Sequence, residues 1–187
     1  GSRRGHSNSR GEKPPRVIII ERADNRSLAA RGELFAACQA TEGFGECMEL
    51  IPGHPNVSFV DILSAMQWAD VIVGRHGAGL ANMLFARVDT AVVEVFPEEF
   101  GRRMVPKNGW GNKLSLIADH VGLKRRVLLM PEYSQECAQS HREEELRDCE
   151  IKPVQWADVA SALDIPPIIK GGPAFLLAPS QSRNNTK

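Results

Sequence analysis

The 187-residue sequence has no apolar run close to the roughly 20 residues that a membrane-spanning helix needs, and its longest apolar runs are strand-sized. No basic segment followed by an apolar one, as in a secretion signal, is visible near its start. The 23 basic and 23 acidic side chains cancel, so the chain lacks the positive field expected of a nucleic-acid-binding protein. With 42% apolar and 25% charged residues, the composition excludes collagen-like, coiled-coil and wholly disordered chains.

The sequence also lacks a C-x-x-C motif and zinc-ligand spacings, although it has four cysteines, Cys38, Cys47, Cys137 and Cys149. We therefore expect no metal site. The residues alone leave two interpretations open: thiols without a role, or one or two disulfides formed in an oxidising compartment, with three possible connectivities. Asn56 begins one of three N-x-S/T sequons and is a candidate glycosylation site.

Aliphatic and aromatic residues are absent from the first 15 positions and sparse after position 170, which predicts three regions along the chain. Residues 1–15 are predicted to be a disordered basic tail and residues 171–187 a flexible one. Neither segment buries enough apolar surface to offset its ordering entropy. Residues 16–170 are predicted to form one folded domain.

Short apolar runs alternate with helix-like segments through this domain. Strands are predicted at 16–20, 46–51, 57–60, 70–74, 91–96 and 127–130, and helices at 31–41, 62–68 (capped by Asp61), 78–86, 114–121 and 156–163. Within residues 131–148, the acidic run at 143–145 is predicted to be a solvated loop or an exposed helix. The alternation predicts an α/β fold, a Rossmann-like doubly wound parallel sheet, which binds ligands at the carboxyl ends of its strands.

One segment, DVIVGRHGAG at residues 70–79, combines a buried strand with a glycine-rich turn before a predicted helix. Gly77 and Gly79 let the backbone approach a ligand, and the first amides of the helix are free to bind an anion. With Ala78 between the glycines, His76 before them and Asn82 after them, the pattern predicts a phosphate or diphosphate site in which His76 donates to a phosphate oxygen. Alternatively, the turn serves only tight strand–helix packing. The spacing is not G-x-G-x-x-G, which makes an NAD-type oxidoreductase the weaker alternative.

The same segment, extended to DVIVGRHGAGLANMLF at 70–85 and followed by VEVFP at 93–97, resembles the C-terminal half of family 61 glycosyltransferases. That family includes plant xylan xylosyl- and arabinosyltransferases and animal protein O-linked N-acetylglucosaminyltransferases. The segments VIIIERADNRSL at 17–28 and WGNKLSLIADHVGL at 110–123 are similar to further family segments in the same order. The chain departs from the family pattern at residues 30–33, at Arg75 and at Arg125, where the family has an aromatic residue.

The resemblance implies the donor-binding C-terminal domain of a GT-B glycosyltransferase, in which two Rossmann-like domains face each other across a cleft. Such enzymes act in the Golgi or endoplasmic reticulum lumen. They transfer a sugar, with inversion, from a nucleotide sugar to a glycan or protein hydroxyl, generally without a metal in the catalytic step. We expect a UDP-sugar as donor and no separate cofactor. In a lumenal protein, Cys38 and Cys47 are expected to form a disulfide.

Several residues are predicted to bind the donor. Arg22 and Arg26 follow the first strand and are expected to clamp the diphosphate together with His76 and the turn amides. Glu94, in the VEVFP strand, is predicted to accept from ribose hydroxyls, or else to be a capping or ion-pair residue.

The catalytic base is not identified in this sequence. It is expected from an N-terminal acceptor domain, supplied in cis or in trans, so that the isolated chain could be inactive. The alternative function is a non-catalytic nucleotide-sugar-binding module or a truncated paralogue.

Overall fold

The computed structural model describes residues 13–22, 27–28, 32–104, 113–165 and 168–169. Its five-stranded sheet consists of β1 (Val17–Ile20), β3 (Cys47–Leu50), β4 (Val71–Arg75), β5 (Ala91–Pro97) and β6 (Lys124–Met130). All neighbouring strands are parallel, and their order is β3-β1-β4-β5-β6. Two short strands, β2 (Thr41–Glu42) and β7 (Ile168–Ile169), pair antiparallel outside this sheet.

The helices are α1 (Glu33–Ala40), α2 (Phe59–Trp68), a 3-10 helix (Leu80–Phe85), α3 (Glu98–Met104), α4 (Lys113–Val121), α5 (Gln135–Ala138), α6 (Glu143–Asp148) and α7 (Trp156–Ala162). One face of the sheet packs against α1 and α7, and the other against α2, the 3-10 helix and α4. The chain runs from β1 to β3 at one edge of the sheet, and from there past β1 to β4, β5 and β6. Because crossovers between parallel strands are right-handed, this change of direction places helices on both faces. The predicted α/β fold with a parallel sheet is confirmed.

The strand β1 shows how the sequence specifies the two layers. All four of its residues are buried, and alternate side chains point to opposite faces. Val17 and Ile19 pack in the cluster with α1 and α7, whereas Ile18 and Ile20 pack in the cluster with α2 and the 3-10 helix. A run of β-branched residues without polar alternation is typical of a parallel strand buried on both sides.

The strand predicted at 57–60 is wrong, because α2 begins at Phe59. Ser58 is the N-cap: its Oγ accepts from the Asp61 amide at 3.2 Å, and the Asp61 carboxylate accepts from the Ser58 amide at 2.8 Å. This reciprocal capping box also corrects the assignment of Asp61 as the cap, since Asp61 occupies the third helical position. Phe59 and Val60, which resembled a strand in sequence, lie exposed on the first turn of the helix.

The α-helix predicted at 78–86 is a 3-10 helix of six residues. The Leu80 and Ala81 amides donate three residues back, to Gly77 and Ala78, each at 3.1 Å. Both the main-chain and side-chain amides of Asn82 donate to the Gly79 carbonyl, which favours this tighter winding.

Further differences occur after β5. Strand β6 begins at Lys124 rather than at residue 127, since Arg125 finds a buried partner in the neighbouring strand. Helix α3 was not predicted. The acidic run at 143–145, predicted to be a solvated loop or an exposed helix, lies in the first turn of helix α6, whereas helix α5 was not predicted. The predicted tails, apart from residues 13–15, are not covered by the described ranges, so the domain limits stay predictions.

All four cysteines form disulfides. Cys38 is joined to Cys47, with 6.3 Å between their Cα atoms, which links α1 to β3. Cys137 is joined to Cys149, with 5.9 Å between their Cα atoms, which links α5 to the residue after α6. The first pair is the one for which the sequence analysis expects a bridge in a lumenal protein.

Candidate donor-binding site

The predicted turn lies where the strand order reverses. Ile20 at the end of β1 is opposite Gly74 in β4, but the chain leaves β1 for one side of the sheet and β4 for the other. In doubly wound sheets such a reversal opens a crevice at the carboxyl ends of the two strands, and ligands bind there. The residues after β1, beginning with Glu21 and Arg22, and those after β4, beginning with His76, lie at this crevice.

The turn presents a series of main-chain donors. Gly77 has a φ of 146°, a conformation that other residues rarely adopt. The His76 amide donates to the Val95 carbonyl at 2.8 Å, but those of Gly77, Ala78 and Gly79 donate to no residue that the structure describes. Successive unbonded amides in a tight turn form a concave site for an anion.

Arg22 brings a positive charge to this turn. A Cβ atom added at Gly77 would lie 3.8 Å from Nη1 of Arg22, so the guanidinium lies directly beside the glycine. A Cβ atom added at Gly79 would lie 3.4 Å from Cγ2 of Ile20. Gly77 therefore leaves space beside the guanidinium, and Gly79 lets the turn approach β1. The second predicted arginine, Arg26, lies outside the described residues.

Glu21 holds the segment that carries Arg22, a role that sequence reasoning missed. The residue is only 4% exposed, and its carboxylate accepts from the Leu28 amide at 3.2 Å. Burial raises the pKa of Glu21, although the amides of Leu28 and Arg22 oppose the shift by hydrogen bonding to the carboxylate. A charged residue directly after an apolar strand is the sequence signal for this buried contact.

His76 belongs to a chain of three polar side chains. Its Nδ1 lies 2.6 Å from Oε1 of Glu94, and Oε2 of Glu94 accepts from Nε of Arg125 at 2.5 Å. The Glu94 side chain has no exposed surface. Strands β4, β5 and β6 each supply one member, either within the strand or directly after it, so the parallel sheet itself brings the three together.

Two phenylalanines fix the ring of His76. The Phe96 ring stacks on the imidazole, with centroids 4.6 Å apart and planes 21° apart, and the Phe100 centroid lies 5.6 Å from it. Both phenylalanines are buried. The imidazole is therefore held by a carboxylate at one nitrogen and by an aromatic face.

The structure gives Glu94 and Asn82 contacts within the protein. Both carboxylate oxygens of Glu94 are engaged by side chains, so the contacts correspond to the ion-pair alternative rather than to ribose binding. The Asn82 side chain donates to the Gly79 carbonyl at 2.8 Å and so supports the turn. Donation from His76 to a phosphate requires a proton on its second nitrogen, Nε2. Donor binding by these residues stays a prediction.

Arg75, one of the departures from the family pattern, is a buried connector. Its Nη2 donates to the Arg147 carbonyl at 3.1 Å and also to the Cys149 carbonyl. The end of β4 is thereby joined to the last turn of α6 and to the residue that follows it. No local sequence signal predicts this contact, since its partners are more than 70 positions away.

Asn56, the predicted glycosylation site, is exposed in the turn before α2. In the described part of the chain, no group of three or more His, Cys, Asp and Glu side chains has an arrangement that could hold a metal ion. Within the same residues, no helix has the length and apolarity needed to cross a membrane.

Comparison with known proteins shows what this chain is similar to. The family model described as Glycosyltransferase 61 matches residues 3–93. A β-1,2-xylosyltransferase of Oryza sativa subsp. japonica, XAX1, is 36% identical over 99 residues, which is 51% of this chain and 16% of that protein. The β-1,2-xylosyltransferase XYXT1 of the same organism is 31% identical over 85 residues, 46% of this chain and 17% of that protein.

The fold is an α/β chain with a parallel sheet and a glycine-rich turn after β4, and the comparisons identify proteins to which the chain is similar. They confirm the predicted resemblance and support membership of this chain in glycosyltransferase family 61. The matched region spans about a sixth of the length of the two xylosyltransferases.

Proposed function

We propose that this chain is the donor-binding part of a glycosyltransferase that takes its sugar from a nucleotide sugar. The observation that carries the proposal is the position of Arg22 beside Gly77, at a turn whose amides from residues 77–79 have no partner among the described residues. A cation and converging amides are the groups that stabilise the charge of a leaving diphosphate. The crevice at the strand reversal supplies the place for the nucleotide.

The finer features of the proposal follow the family resemblance. The domain corresponds to the C-terminal half of a GT-B enzyme, the donor is a UDP-sugar, and transfer to a glycan or protein hydroxyl proceeds with inversion. The two relatives are named β-1,2-xylosyltransferases, so UDP-xylose is the first donor to test. An acceptor-binding domain, in cis or in trans, completes the cleft.

A location in the Golgi or endoplasmic reticulum lumen agrees with the covalent structure. Both disulfides are of the kind that persists in oxidising compartments. The Asn56 sequon is exposed, as an acceptor for N-glycosylation must be.

The test is calorimetric titration of the chain with UDP, UDP-xylose, uridine and NAD at fixed ionic strength, because salt alone changes the affinity of charged ligands. We expect similar affinities for UDP and UDP-xylose and much weaker binding of uridine and NAD. Replacing Arg22 with alanine removes a charge-assisted contact of about 1.5–3 kcal/mol, which is roughly 10-fold to 150-fold in affinity.

The matched control is Arg142→Ala. Arg142 is the N-cap residue of α6, and its side chain is 80% exposed. It should leave UDP affinity unchanged. Equal affinities for UDP and uridine, or an unchanged constant in Arg22→Ala, would contradict a diphosphate site at this turn.

A non-catalytic nucleotide-sugar-binding module is the second candidate. One observation favours it: Glu94, a carboxylate beside the turn, is fully buried and engaged by two side chains, so it is not placed to take a proton from an acceptor. Binding of UDP-xylose without hydrolysis or transfer, both by the chain alone and after addition of an acceptor domain, would select this candidate.

A further inference from the structure

The contacts of Glu94 with Arg125 and His76 determine which nitrogen of the His76 imidazole carries a proton. Arginine stays charged in proteins, so the Nε group of Arg125 keeps a full positive charge beside Oε2 of Glu94. A buried carboxylate with such a neighbour is stabilised in its ionised form, and an ionised carboxylate only accepts hydrogen bonds. Oε1 of Glu94 must therefore accept from His76, and the proton of that 2.6 Å contact belongs to Nδ1.

A neutral imidazole has one N–H, so a proton on Nδ1 leaves Nε2 as an acceptor. Arg125 already balances the buried carboxylate, and Arg22 places a second cation beside Gly77, the next residue after His76. Glu21, the described carboxylate next to Arg22 in the chain, is buried and accepts from the Leu28 amide. A doubly protonated His76 would add a further cation next to Arg75, the buried last residue of β4.

We propose that Arg125 is a positioning residue which, acting through Glu94, holds His76 with Nδ1 protonated and Nε2 free as a proton acceptor at the turn. His76 then accepts a hydrogen bond from a hydroxyl group, on the sugar or on its acceptor, rather than donating to a phosphate oxygen. The identity of that hydroxyl rests on the proposed function, whereas the tautomer does not. Arg125 thereby acquires a role at a position where the family pattern has an aromatic residue.

A second histidine, His54, provides an internal control for the tautomer of His76. The Asn56 amide donates to Nδ1 of His54 at 3.3 Å, so neutral His54 carries its proton on Nε2. His54 and His76 should therefore have opposite tautomers in the same sample. His54 is exposed, and its contact lies in a turn with no buried carboxylate partner among the described residues.

The experiment is a long-range proton–nitrogen NMR correlation on histidine-labelled full chain, recorded about two units above the ordinary histidine pKa of ~6.5. His76→Gln assigns the signal. We expect unprotonated Nε2 in His76 and unprotonated Nδ1 in His54. A wild-type His76 with its proton on Nε2 would overturn the proposal.

Arg125→Gln removes the positive charge that compensates the buried Glu94 carboxylate. A doubly protonated His76 should then supply that charge, so Nε2 of His76 should gain a proton in most molecules. Arg126→Gln is the matched control, because Arg126 is the exposed neighbour on β6 and donates only weakly, to the Arg125 carbonyl at 3.4 Å. It should leave both histidines unchanged. An unaltered His76 in Arg125→Gln would overturn the role of Arg125. If circular dichroism shows that this variant does not fold, Arg125→Lys replaces it: the charge is kept, so a changed tautomer would count against the proposal.

A last arm adds saturating UDP to the wild-type chain. His76 should keep Nε2 unprotonated, whereas a proton gained there on binding would identify it as a phosphate ligand and overturn the inference. If UDP changes no signal and no heat, the proposed function fails, and the tautomer of the free chain still decides the role of Arg125.

Discussion

Asp70 and Glu94 each pair with two basic side chains, but one carboxylate is partly exposed and the other is fully buried. Asp70 lies just before β4, at the amino end of the sheet, and Glu94 lies in β5, opposite Gly74 near the carboxyl end of β4. The side chain of Asp70 is 35% exposed and that of Glu94 is 0% exposed. Their partners are Arg16 and Arg87 for Asp70, and His76 and Arg125 for Glu94.

The difference shows what burial adds to an ion pair. Water screens the pairs of Asp70, which join β1, β4 and the segment before β5 at modest strength. Burial removes that screening from Glu94. Removal of one charged partner would therefore leave the other charge buried and uncompensated. Substitutions in the exposed ion pairs at the amino end of the sheet should therefore cost little stability. The buried contacts of Glu94 near the carboxyl end instead fix the geometry of His76 beside the turn.

The largest effect is expected from Glu94→Ala, which leaves the Arg125 guanidinium buried without its carboxylate. Breaking a buried pair in this way costs about 3–5 kcal/mol of unfolding free energy. Urea denaturation followed by circular dichroism measures the loss. A loss under about 1 kcal/mol would mean that water reaches this pair as it reaches Asp70, and the contrast between the two ends would disappear.

A smaller effect concerns Glu21, which with Glu94 is one of two buried carboxylates among the described residues. Because burial raises its pKa, the folded chain binds a proton at Glu21 over a pH range where the unfolded chain does not. Its contribution to stability is thus complete below the unfolded value of about 4.3 and declines as the pH rises through the folded value.

Glu21→Gln should therefore gain stability relative to wild type as the pH rises from about 4 towards 7. The gain should stay below the loss in Glu94→Ala. Denaturation curves of both proteins across this pH range test the sign. A difference that falls with rising pH would show that hydrogen bonds, rather than burial, dominate at Glu21.

The smallest effect is expected for Asp70→Asn. Exposed pairs contribute about 0.2–1 kcal/mol each, and added salt should reduce the difference between this variant and wild type. Hydrogen bonding from the Arg16 side chain lowers the pKa of Asp70, so its contribution is present above about pH 4 and is lost as the pH falls further. The effect of Glu94→Ala should be nearly insensitive to salt; similar salt dependence in both variants would contradict the proposed difference in burial.

The fold was predictable wherever local residues determine an element. The apolar β1 and β4 segments identify a buried parallel sheet, and the glycine turn after β4 identifies the edge at which the donor site is proposed. Ser58 and Asp61 form an S-x-x-D capping pattern, so the true start of α2 was also present in the sequence.

The polar contacts of the site were not predictable in the same way. Glu94 and Arg125 are 31 positions apart, and only the parallel register of β5 and β6 brings them together. A lone glutamate in the apolar run VVEVF indicates a buried charge without naming its partner. The start of β6 was not predicted because its first three residues are basic. Arg125 is compatible with a buried position in the sheet only because it pairs with Glu94.

The disulfide between Cys137 and Cys149 has a practical consequence for anyone producing the protein. It closes the segment that holds α6, where the fully buried Leu146 packs in one cluster with Phe96 and Phe100, the two rings around His76. A preparation made in a reducing cytosol lacks this closure, and its imidazole environment should be less ordered even when the central sheet is intact. A count of free thiols should accordingly precede any measurement of ligand affinity, since it separates a poorly oxidised batch from an inherently weak binder.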